Sequence, residues 1–285
     1  MIAIVGVVVV LASVVIGFLM AGGELLVLIQ ISEFITIGGA AIGSLLISAP
    51  MSVLKKIGKA IPKVFASHTT SKDDYLKLLK SFYELFLVAQ RDGLLAIEKH
   101  VEVPQESNIL SVNEKFIKNE VALSFFCDTL KVIFAGGIPP HEVEDIMDIS
   151  IETLENENKP VAGLIAKVGD SLPGLGIVAA VLGIIVTMGS IDAGAEAVGH
   201  HVAAALVGTF LGVLLSYGIV NPIAANVEHG IEEEIQYLRT IKASIISYTK
   251  GNPPIVAVEI ARRTIVSDVR PSFQELESYL RGKKE

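Results

Sequence analysis

The sequence has no tryptophan, one cysteine and few charged residues, which make up 19% of its 285 positions. A single thiol excludes an intrachain disulfide framework and a cluster held by several thiolates, so Cys127 is predicted to be a packed small side chain. A net charge of −8 argues against a general nucleic-acid binder, which needs a basic face for the phosphates. The 51% hydrophobic content and the mean hydropathy of +0.59 indicate membrane insertion instead.

Basic residues are missing from two long stretches, Met1–Leu54 and Val168–Glu232. All 23 lysines and arginines lie elsewhere, 14 within residues 55–167 and 9 within residues 239–284. Uncharged runs in the two stretches are long enough to cross a hydrocarbon core of ~30 Å at ~1.5 Å per residue. These runs are Met1–Gly23, Phe34–Leu54, Ser171–Ile191 and Val202–Val220. A cleaved signal peptide is the alternative for the first run, but such peptides begin with a basic residue and have a shorter apolar region.

The charges beside these runs predict their orientation, because lysine near a helix end is retained on the cytoplasmic side. The second run ends in the cluster Lys55, Lys56, Lys59 and Lys63. The only charged residues in the link between runs one and two are Glu24 and Glu33. In the link between runs three and four, the only titratable residues are acidic residues and histidines. Both links are therefore predicted to lie outside, with both termini in the cytoplasm. Candidate aromatic anchors at the membrane surfaces are Phe18, Phe34, Tyr217 and Tyr248.

These features predict an all-α polytopic membrane protein with four transmembrane helices and a helical cytoplasmic domain. The predicted division is 1–54 for transmembrane helices 1 and 2, 55–167 for the cytoplasmic domain, 168–224 for transmembrane helices 3 and 4, and 225–285 for a cytoplasmic helical tail. Apolar residues at three- and four-residue steps predict the helices outside the membrane. One helix runs from a Ser71–Asp74 cap to Gly93, and another covers Asn113–Phe134. Long helices continue from His141 into run three and from run four through Asn226–Tyr248. Short helices lie around Ile255–Ser267 and after Pro271.

No Asp, Glu, Lys, Arg or His lies at mid-membrane depth in the four runs. A protein that moves ions usually needs such a group, because a charge in hydrocarbon is costly and is kept for use. The chain is therefore predicted to form the wall of a pathway whose carboxylate comes from a second subunit. The alternative for wall hydroxyls is that they bond back to carbonyls of their own helix. The hydroxyls suited to the wall are those of Thr187, Thr209, Ser216 and Tyr217.

Enzyme motifs are missing as well, since the sequence has no Walker loop, no H-E-x-x-H and no G-x-S-x-G. Neither an enzymatic activity nor a bound metal or cofactor is expected. Asp192, Glu196 and His200 stand four residues apart, but they lie in a short outer link, so a metal site there is disfavoured.

Prolines and glycines indicate where the membrane helices bend and pack. Pro173 and Pro222 lie at the inner ends of runs three and four, where each removes a backbone donor and creates a candidate hinge. The alternative is that both prolines only mark helix ends. Small residues that let transmembrane helices approach closely are the pairs Gly39–Gly43 and Gly208–Gly212, with Gly174, Gly176 and Gly183.

Residues 90–99 carry charges of both signs around Gly93, at the turn between two predicted helices. Such a face is suited to docking, because complementary charges steer a partner and set the register of binding. A solvated surface without a partner is the alternative.

Particular segments of the chain closely resemble the MotA family of flagellar motor stator proteins. They are Val168–Pro173, Gly176–Ala180, Val207–Gly212 and Arg270–Glu277. The ExbB and TolQ energiser subunits are more distant relatives, which lack the two-plus-two order of spans and the Arg-Pro-Ser-Phe motif. An energiser that couples ion-motive force to an envelope partner is the alternative function, and a membrane scaffold that conducts nothing is a third.

The resemblance implies a bacterial inner-membrane protein that assembles as a homopentamer around MotB-like chains, each with a single span and a membrane aspartate. It implies that ion flow through the complex turns the ring, whose cytoplasmic domain pushes on the rotor protein FliG. Contact with membrane lipid is expected, and contact with nucleic acid is not. The transported ion is expected to be a proton, with sodium as the alternative, because sodium-driven relatives tend to carry Thr where this chain has Ala180.

The resemblance also implies roles for membrane residues. Pro173 and Pro222 match the paired prolines of the family, which are expected to couple protonation to movement. Thr209 matches a hydroxyl of the conducting path near the partner's aspartate. The full set of predicted pathway residues is Thr209, Ala180, Thr187 and Tyr217.

At the rotor-facing surface, Glu98 matches an acidic residue that contacts the rotor. The basic contact of the family falls at Gln90 in this chain, with Arg91 one step later as its replacement. Glu98, Arg91 and Gln90 are therefore the predicted rotor interface.

Overall fold

The protein is described by a computed structural model that covers residues 2–66, 69–189, 192 and 194–282, without the side chains of residues 196, 197 and 200. Every regular element in these residues is helical, which confirms the all-α prediction. In chain order the α-helices are α1 (Ile2–Met20), α2 (Leu25–Leu28), α3 (Ile31–Ser48), α4 (Met51–Phe65), α5 (Lys72–Asp92), α6 (Glu98–Glu102), α7 (Glu114–Lys118), α8 (Glu120–Ala135), α9 (Pro140–Met188), α10 (Ala195–Leu215), α11 (Asn221–Thr249), α12 (Pro254–Thr264) and α13 (Phe273–Leu280).

Each helical segment that is long and apolar enough to cross a membrane overlaps one of the predicted runs. These segments are Ile2–Met20, Leu25–Ser48, Pro140–Met188 and His201–Thr249. The four-helix membrane prediction is therefore confirmed.

The second spanning segment ends at Ser48, before the predicted end at Leu54. Pro50 has no N–H and disfavours a helical conformation in the residue before it. Ala49 is accordingly extended, with φ −136° and ψ 140°. The predicted boundary of run two is thus wrong at its C-terminal end.

After this break, α4 restarts as a separate amphipathic helix. Ile57 is buried, whereas lysines lie on the exposed side. The exposed lysines are Lys55, Lys59 and Lys63. The lysine cluster therefore belongs to a helix that follows the span, and not to the end of the span itself.

The chain divides into two compact units, residues 1–68 with 158–230 and residues 69–157 with 231–285. The first is called the membrane unit below, and the other is called the second unit. Two long helices contribute to both units, because α9 is unbroken over 49 residues and the segment His201–Thr249 is helical throughout. The predicted continuation of runs three and four as long helices is confirmed.

A cluster of aromatic rings forms the core of the second unit. Phe82 of α5 stacks on Phe126 of α8 with ring centroids 4.8 Å apart, and Phe116 meets both rings edge-on. Phe86 stacks on Tyr248 of α11 at 4.4 Å. Tyr248 therefore packs in this core, and the prediction that it anchors the chain at the membrane surface is wrong.

Polar side chains define the helix ends of the second unit. Ser71 caps α5 as predicted, because Ser71 Oγ accepts from Asp74 N at 3.3 Å and Asp74 Oδ2 accepts from Ser71 N at 2.8 Å. The helix predicted over residues 113–134 is instead two helices, α7 and α8. Asn119 separates them, because its Oδ1 accepts from Ala122 N at 3.1 Å and so starts a new helix.

The Arg-Pro-Ser-Phe segment fixes the turn between α12 and α13. Arg270 Nε donates to Ile265 O at 2.7 Å, and Ser272 Oγ accepts from Glu275 N at 3.1 Å to cap α13. Phe273 remains half exposed. The motif that carries the family resemblance in the tail therefore has a structural role in this chain.

Cys127 is buried on α8 against the aromatic core, which agrees with the prediction of a packed side chain. Burial raises the pKa of its thiol to about 11. The thiol is consequently protonated at neutral pH.

Candidate functional site

Helices α9 and α10 touch backbone to backbone along four glycines, called the glycine seam below: Gly176, Gly183, Gly208 and Gly212. A methyl group on Gly176 would lie 2.7 Å from Gly208 O, and one on Gly212 would lie 2.5 Å from Leu172 O. One on Gly183 would lie 2.7 Å from the Ala205 Cβ. Only glycine permits so close an approach, so the predicted small-residue faces of runs three and four are confirmed at these positions.

The other glycines predicted in packing faces lie beside open space. Within the described residues, nothing is within 4 Å of a methyl group placed on Gly39, Gly43 or Gly174. These three glycines therefore do not bring helices of this chain together, because the helix faces that carry them are turned away from its other helices, and the prediction that they permit close approach stays a prediction.

Glu33 lies at the glycine seam, although the sequence analysis assigned it to an outer link. It belongs to the first turn of α3, within the spanning segment Leu25–Ser48, and only 7% of its surface is exposed. A methyl group on Gly208 would lie 2.5 Å from Glu33 Oε2, 3.2 Å from Ala179 Cβ and 3.3 Å from Ala180 N. The carboxylate thus fills the place of the side chain that Gly208 lacks, and the assignment to the link is wrong.

Two of the predicted pathway residues, Ala180 and Thr209, come together at this point. Ala180 is buried and lies across the seam from Gly208, and the Thr209 Cα lies 3.3 Å from a methyl group placed on Gly176. The structure therefore places the backbone of Ala180, the backbone of Thr209 and the Glu33 carboxylate along one stretch of the seam.

The other two predicted pathway residues, Thr187 and Tyr217, lie apart from it. Thr187 is buried on α9, about 10 Å along the helix from Ala180, and its hydroxyl donates to Gly183 O at 2.8 Å. This hydrogen bond to a carbonyl of its own helix is the alternative role for a wall hydroxyl. Tyr217 is 66% exposed, about 12 Å along the other helix from Thr209.

Pro222 follows a widened turn in the helix that contains it. The turn Ser216–Val220 is a π-helix, in which Asn221 N donates to Ser216 O. Pro222 has no N–H, and in a regular α-helix its ring would clash with the carbonyl of Gly218, so the chain takes the wider turn. Because the helix continues on both sides of Pro222, and α9 on both sides of Pro173, the prolines do not merely mark helix ends.

The segments around the two prolines are joined by side chains. Asn221 Nδ2 donates to Asp170 Oδ1 at 2.9 Å, between the residue before Pro222 and a residue one turn before Pro173. Nothing in the sequence alone pairs these two positions, because the contact depends on how α9 and the π-turn pack.

The predicted rotor interface forms an exposed turn in the second unit. Gln90, Arg91 and Glu98 are all exposed, on either side of Gly93. Gly93 adopts φ 90° and ψ 160°, which other residues rarely reach. Arg91 pairs with its neighbour Asp92, with Nη2 and Oδ2 2.6 Å apart.

His100 holds the helix that carries Glu98. It is 6% exposed, and its Nδ1 lies 2.8 Å from Ser107 Oγ, which also accepts from Leu110 N at 3.0 Å. Burial and, secondarily, the charge of Lys99 lower the pKa of His100. This interior histidine, which the sequence analysis did not single out, is therefore neutral at neutral pH.

Among the described residues, no group of three or more potential metal ligands occurs. The side chains of Glu196 and His200 lie outside the described part of the chain, so the disfavoured metal site in that link stays a prediction.

The sequence does contain a pattern that indicates Glu33 as a membrane residue. The apolar segment extends back to Leu25, and over that length it includes one acidic residue, Glu33.

Comparison with known proteins gives matches along the whole chain. Residues 4–93 match the family described as Motility protein A N-terminal, and residues 110–240 match the MotA/TolQ/ExbB proton channel family. The chain is 38% identical to Motility protein A of Escherichia coli strain K12 over 284 residues, covering 100% of this chain and 96% of the relative. It is 32% identical to Chemotaxis protein LafT of Vibrio parahaemolyticus over 275 residues, covering 96% of each.

Two solved structures share the fold. The structure of Campylobacter jejuni MotAB matches with a TM-score of 0.79 at 22% identity, covering 95% of this chain and 98% of that one. The flagellar MotAB stator complex of Bacillus subtilis matches with a TM-score of 0.73 at 22% identity, covering 96% and 97%.

Proposed function

The chain belongs to the motility protein A family, and we propose on that basis that it is a flagellar stator subunit that turns ion flow into torque. The order of its helices carries the proposal: two apolar helices, a helical insertion, and two further apolar helices packed at the glycine seam. The matched family is one of motility proteins and proton channels, and no enzymatic step is assigned to the chain.

The ion path is proposed to run beside the seam, with Ala180 and Thr209 in its wall and Thr187 and Tyr217 towards its two ends. A MotB-like chain with a single span and a membrane aspartate would supply an acid. Both solved relatives are MotAB complexes, which supports a partner of that kind. The proposed ion is the proton, because the methyl group of Ala180 offers no oxygen ligand to a metal cation such as sodium.

Pro173 and Pro222 are proposed to couple ion binding to movement. Each proline lies inside a continuous helix and leaves one backbone carbonyl without its usual N–H donor. Because that hydrogen bond is already missing, the helix can bend there without breaking one. The π-turn before Pro222 supports this assignment, because such turns are frequent at functional sites.

Five copies are proposed to form a ring whose exposed turns meet the rotor protein FliG through Glu98, with Arg91 and Gln90 beside it. The exposure of these side chains supports the assignment. The pairing of Arg91 with Asp92 weakens Arg91 as a free cation, which leaves Glu98 as the principal contact.

The chain is proposed to lie in the bacterial inner membrane with both termini in the cytoplasm. The exposed lysines of α4 support this orientation, because basic residues next to a span stay on the cytoplasmic side. The membrane itself would then contact α4 through anionic lipid headgroups.

Co-expression with a single-span, aspartate-bearing partner tests the function. We expect acidification of the cytoplasm and swimming only when both chains are present. An ExbB- or TolQ-type energiser would instead restore nutrient import or envelope integrity and leave motility unchanged. A scaffold without a channel would change neither internal pH nor internal sodium.

A further inference from the structure

The function proposed above assigns no role to one carboxylate of the membrane unit, that of Glu33. We propose that Glu33 is a proton-binding site of the pathway itself. Its carboxylate takes up a proton from the side of the 21–30 link and passes it on towards Ala180 and Thr209. The inference rests on the proposed function and deepens it, because it gives this chain an acid of its own in addition to the one expected from the partner.

The burial of Glu33 is the first argument. Only 7% of the residue is exposed, and within the described part of the chain Oε2 has no hydrogen-bond partner. A carboxylate that only stabilised the fold would have a donor, because a buried charge without one costs several kcal/mol. An ionisable group kept at this cost inside a spanning segment indicates a functional role.

The shape of the seam is the second argument. Gly208 has no side chain at the place that Glu33 Oε2 occupies, since a methyl group there would lie 2.5 Å from that oxygen. The same position is 3.3 Å from Ala180 N. The carboxylate therefore lies against the Gly208 position of α10, and the same position faces Ala180 of α9, a predicted pathway residue.

The surroundings allow both protonation states. The other atoms nearest to a methyl group placed on Gly208 belong to Ala179 and Ala180, which carry no charge, so neither of them fixes Glu33 as a permanent anion. Loss of water disfavours the charged form, whereas the position in the first turn of α3 favours it through the helix dipole. Titratable residues in the adjoining links are Glu24, Asp192, Glu196, His200 and His201.

The chemistry is a single proton exchange. On uptake, a hydronium ion on the side of the 21–30 link gives up one O–H bond and becomes water as the carboxylate oxygen forms one O–H bond. On release, that bond breaks as a water molecule or the partner's carboxylate forms an O–H bond of its own. No other bond changes and no further reactant is needed.

Glu33→Gln in the full complex with its single-span partner provides the test. Glutamine keeps the size of the side chain and loses the exchangeable acid, so we expect proton influx to fall about a hundredfold, the lower end of what a positioned proton-transfer group contributes. Glu33→Asp should retain part of the influx. Glu24→Gln is the matched control, because Glu24 is an exposed acid just before α2, and its influx should equal that of the wild type.

Infrared spectroscopy of the same complexes gives a readout that a packing role would not change. The wild type should show a carboxylic-acid band that appears on acidification, shifts in heavy water and is missing from Glu33→Gln. If that band is absent from the wild type, or if Glu33→Gln conducts at the wild-type rate, the assignment is overturned. A variant that fails to co-purify with its partner leaves the wild-type band and the Glu33→Asp influx to decide.

The two levels of proposal fail differently. A wild-type complex that conducts no protons contradicts the stator function, and the assignment of Glu33 falls with it. A wild-type complex that conducts, and in which Glu33→Gln conducts equally, contradicts the assignment of Glu33 alone.

Discussion

Asn221 lies against Gly169 at the point where Pro173 deprives α9 of a backbone hydrogen bond. A methyl group on Gly169 would lie 2.9 Å from the Asn221 Cγ, and the carbonyl of Gly169 is the one that an amide at position 173 would have bonded. Asn221 in turn directly precedes Pro222 and ends the π-turn. The weakened turns of the two helices therefore lie side by side, so that a conformational change in one turn displaces the other.

Gly169→Ala is expected to displace the Asn221 side chain and break its hydrogen bond to Asp170. The overpacking should destabilise the complex by about 1–3 kcal/mol and slow rotation. Adding Asn221→Ala removes the clash and should restore much of the stability, as measured by thermal unfolding of the complex in detergent. Gly163→Ala on the same helix is the control, because its methyl group would meet nothing within 4 Å. Equal effects of both alanine variants would contradict the contact.

Pro222→Ala is expected to stop or slow rotation while the chain still inserts and binds its partner. An N–H at position 222 would bond to the Gly218 carbonyl and convert the π-turn into a regular α-helical turn. Swimming speed, membrane level and partner co-purification measure the three properties separately. Normal swimming of this variant and of Pro173→Ala would rule out the hinge assignment.

Gly176→Ala is expected to push α9 and α10 apart, whereas Gly174→Ala should not. The first methyl group would lie 2.7 Å from a backbone oxygen that cannot move aside, and the second has nothing within 4 Å in the described chain. A cost of about 1–3 kcal/mol is expected for the first substitution. Disulfide trapping between cysteines introduced on the two helices, at positions that are in contact in the wild type, should lose efficiency only in Gly176→Ala.

Mild acid is expected to weaken the second unit through His100. Because the pKa of His100 is lowered in the folded protein, the unfolded chain takes up the proton first as pH falls. Stability should be complete above the unfolded pKa of about 6.5 and should decrease below it, until the lowered folded pKa is passed. His100→Asn keeps a hydrogen-bonding group for Ser107 and cannot be charged, so its thermal unfolding should depend less on pH in this range. The same slope in both proteins would contradict the role of His100.

Glu98→Lys is expected to reduce torque without changing proton influx, because it reverses a charge on the exposed turn and alters none of the predicted pathway residues. Glu102→Lys, on the same short helix and also exposed, is the matched control and should swim normally. Tethered-cell rotation under load measures torque, and internal pH measures influx. If the two substitutions reduce torque equally, general electrostatics and not a specific contact explain the effect.

The spanning helices and the long α9 could be predicted from sequence because hydrophobic run length and helical periodicity are local signals. The same holds for the Ser71 cap. Ends set by a single residue were harder to place: Pro50 ends a span inside an apolar run, and Asn119 divides a helix that periodicity alone would have continued. The polarity of the sequence does not indicate the helix end at Pro50, because the residues on both sides of Pro50 are apolar or small.

The candidate site was predictable only in part. Thr209 and Ala180 followed from the family resemblance, and the glycines of the seam from their spacing. The burial of Glu33 depends on a side chain of α3 entering a gap in α10, and the contact of Asn221 with Gly169 depends on the packing of two helices. Such relationships join residues that are far apart in the chain, and no local pattern encodes them.

Cys127 makes the native chain a ready background for thiol labelling. Only a thiolate attacks maleimide reagents, and a thiol that is both buried and protonated at neutral pH reacts slowly. A cysteine introduced at Glu24 or near the end of the tail would therefore be the site that a membrane-impermeant maleimide modifies. Which of the two is labelled in intact cells would establish the sidedness of the chain without any need to remove its natural cysteine.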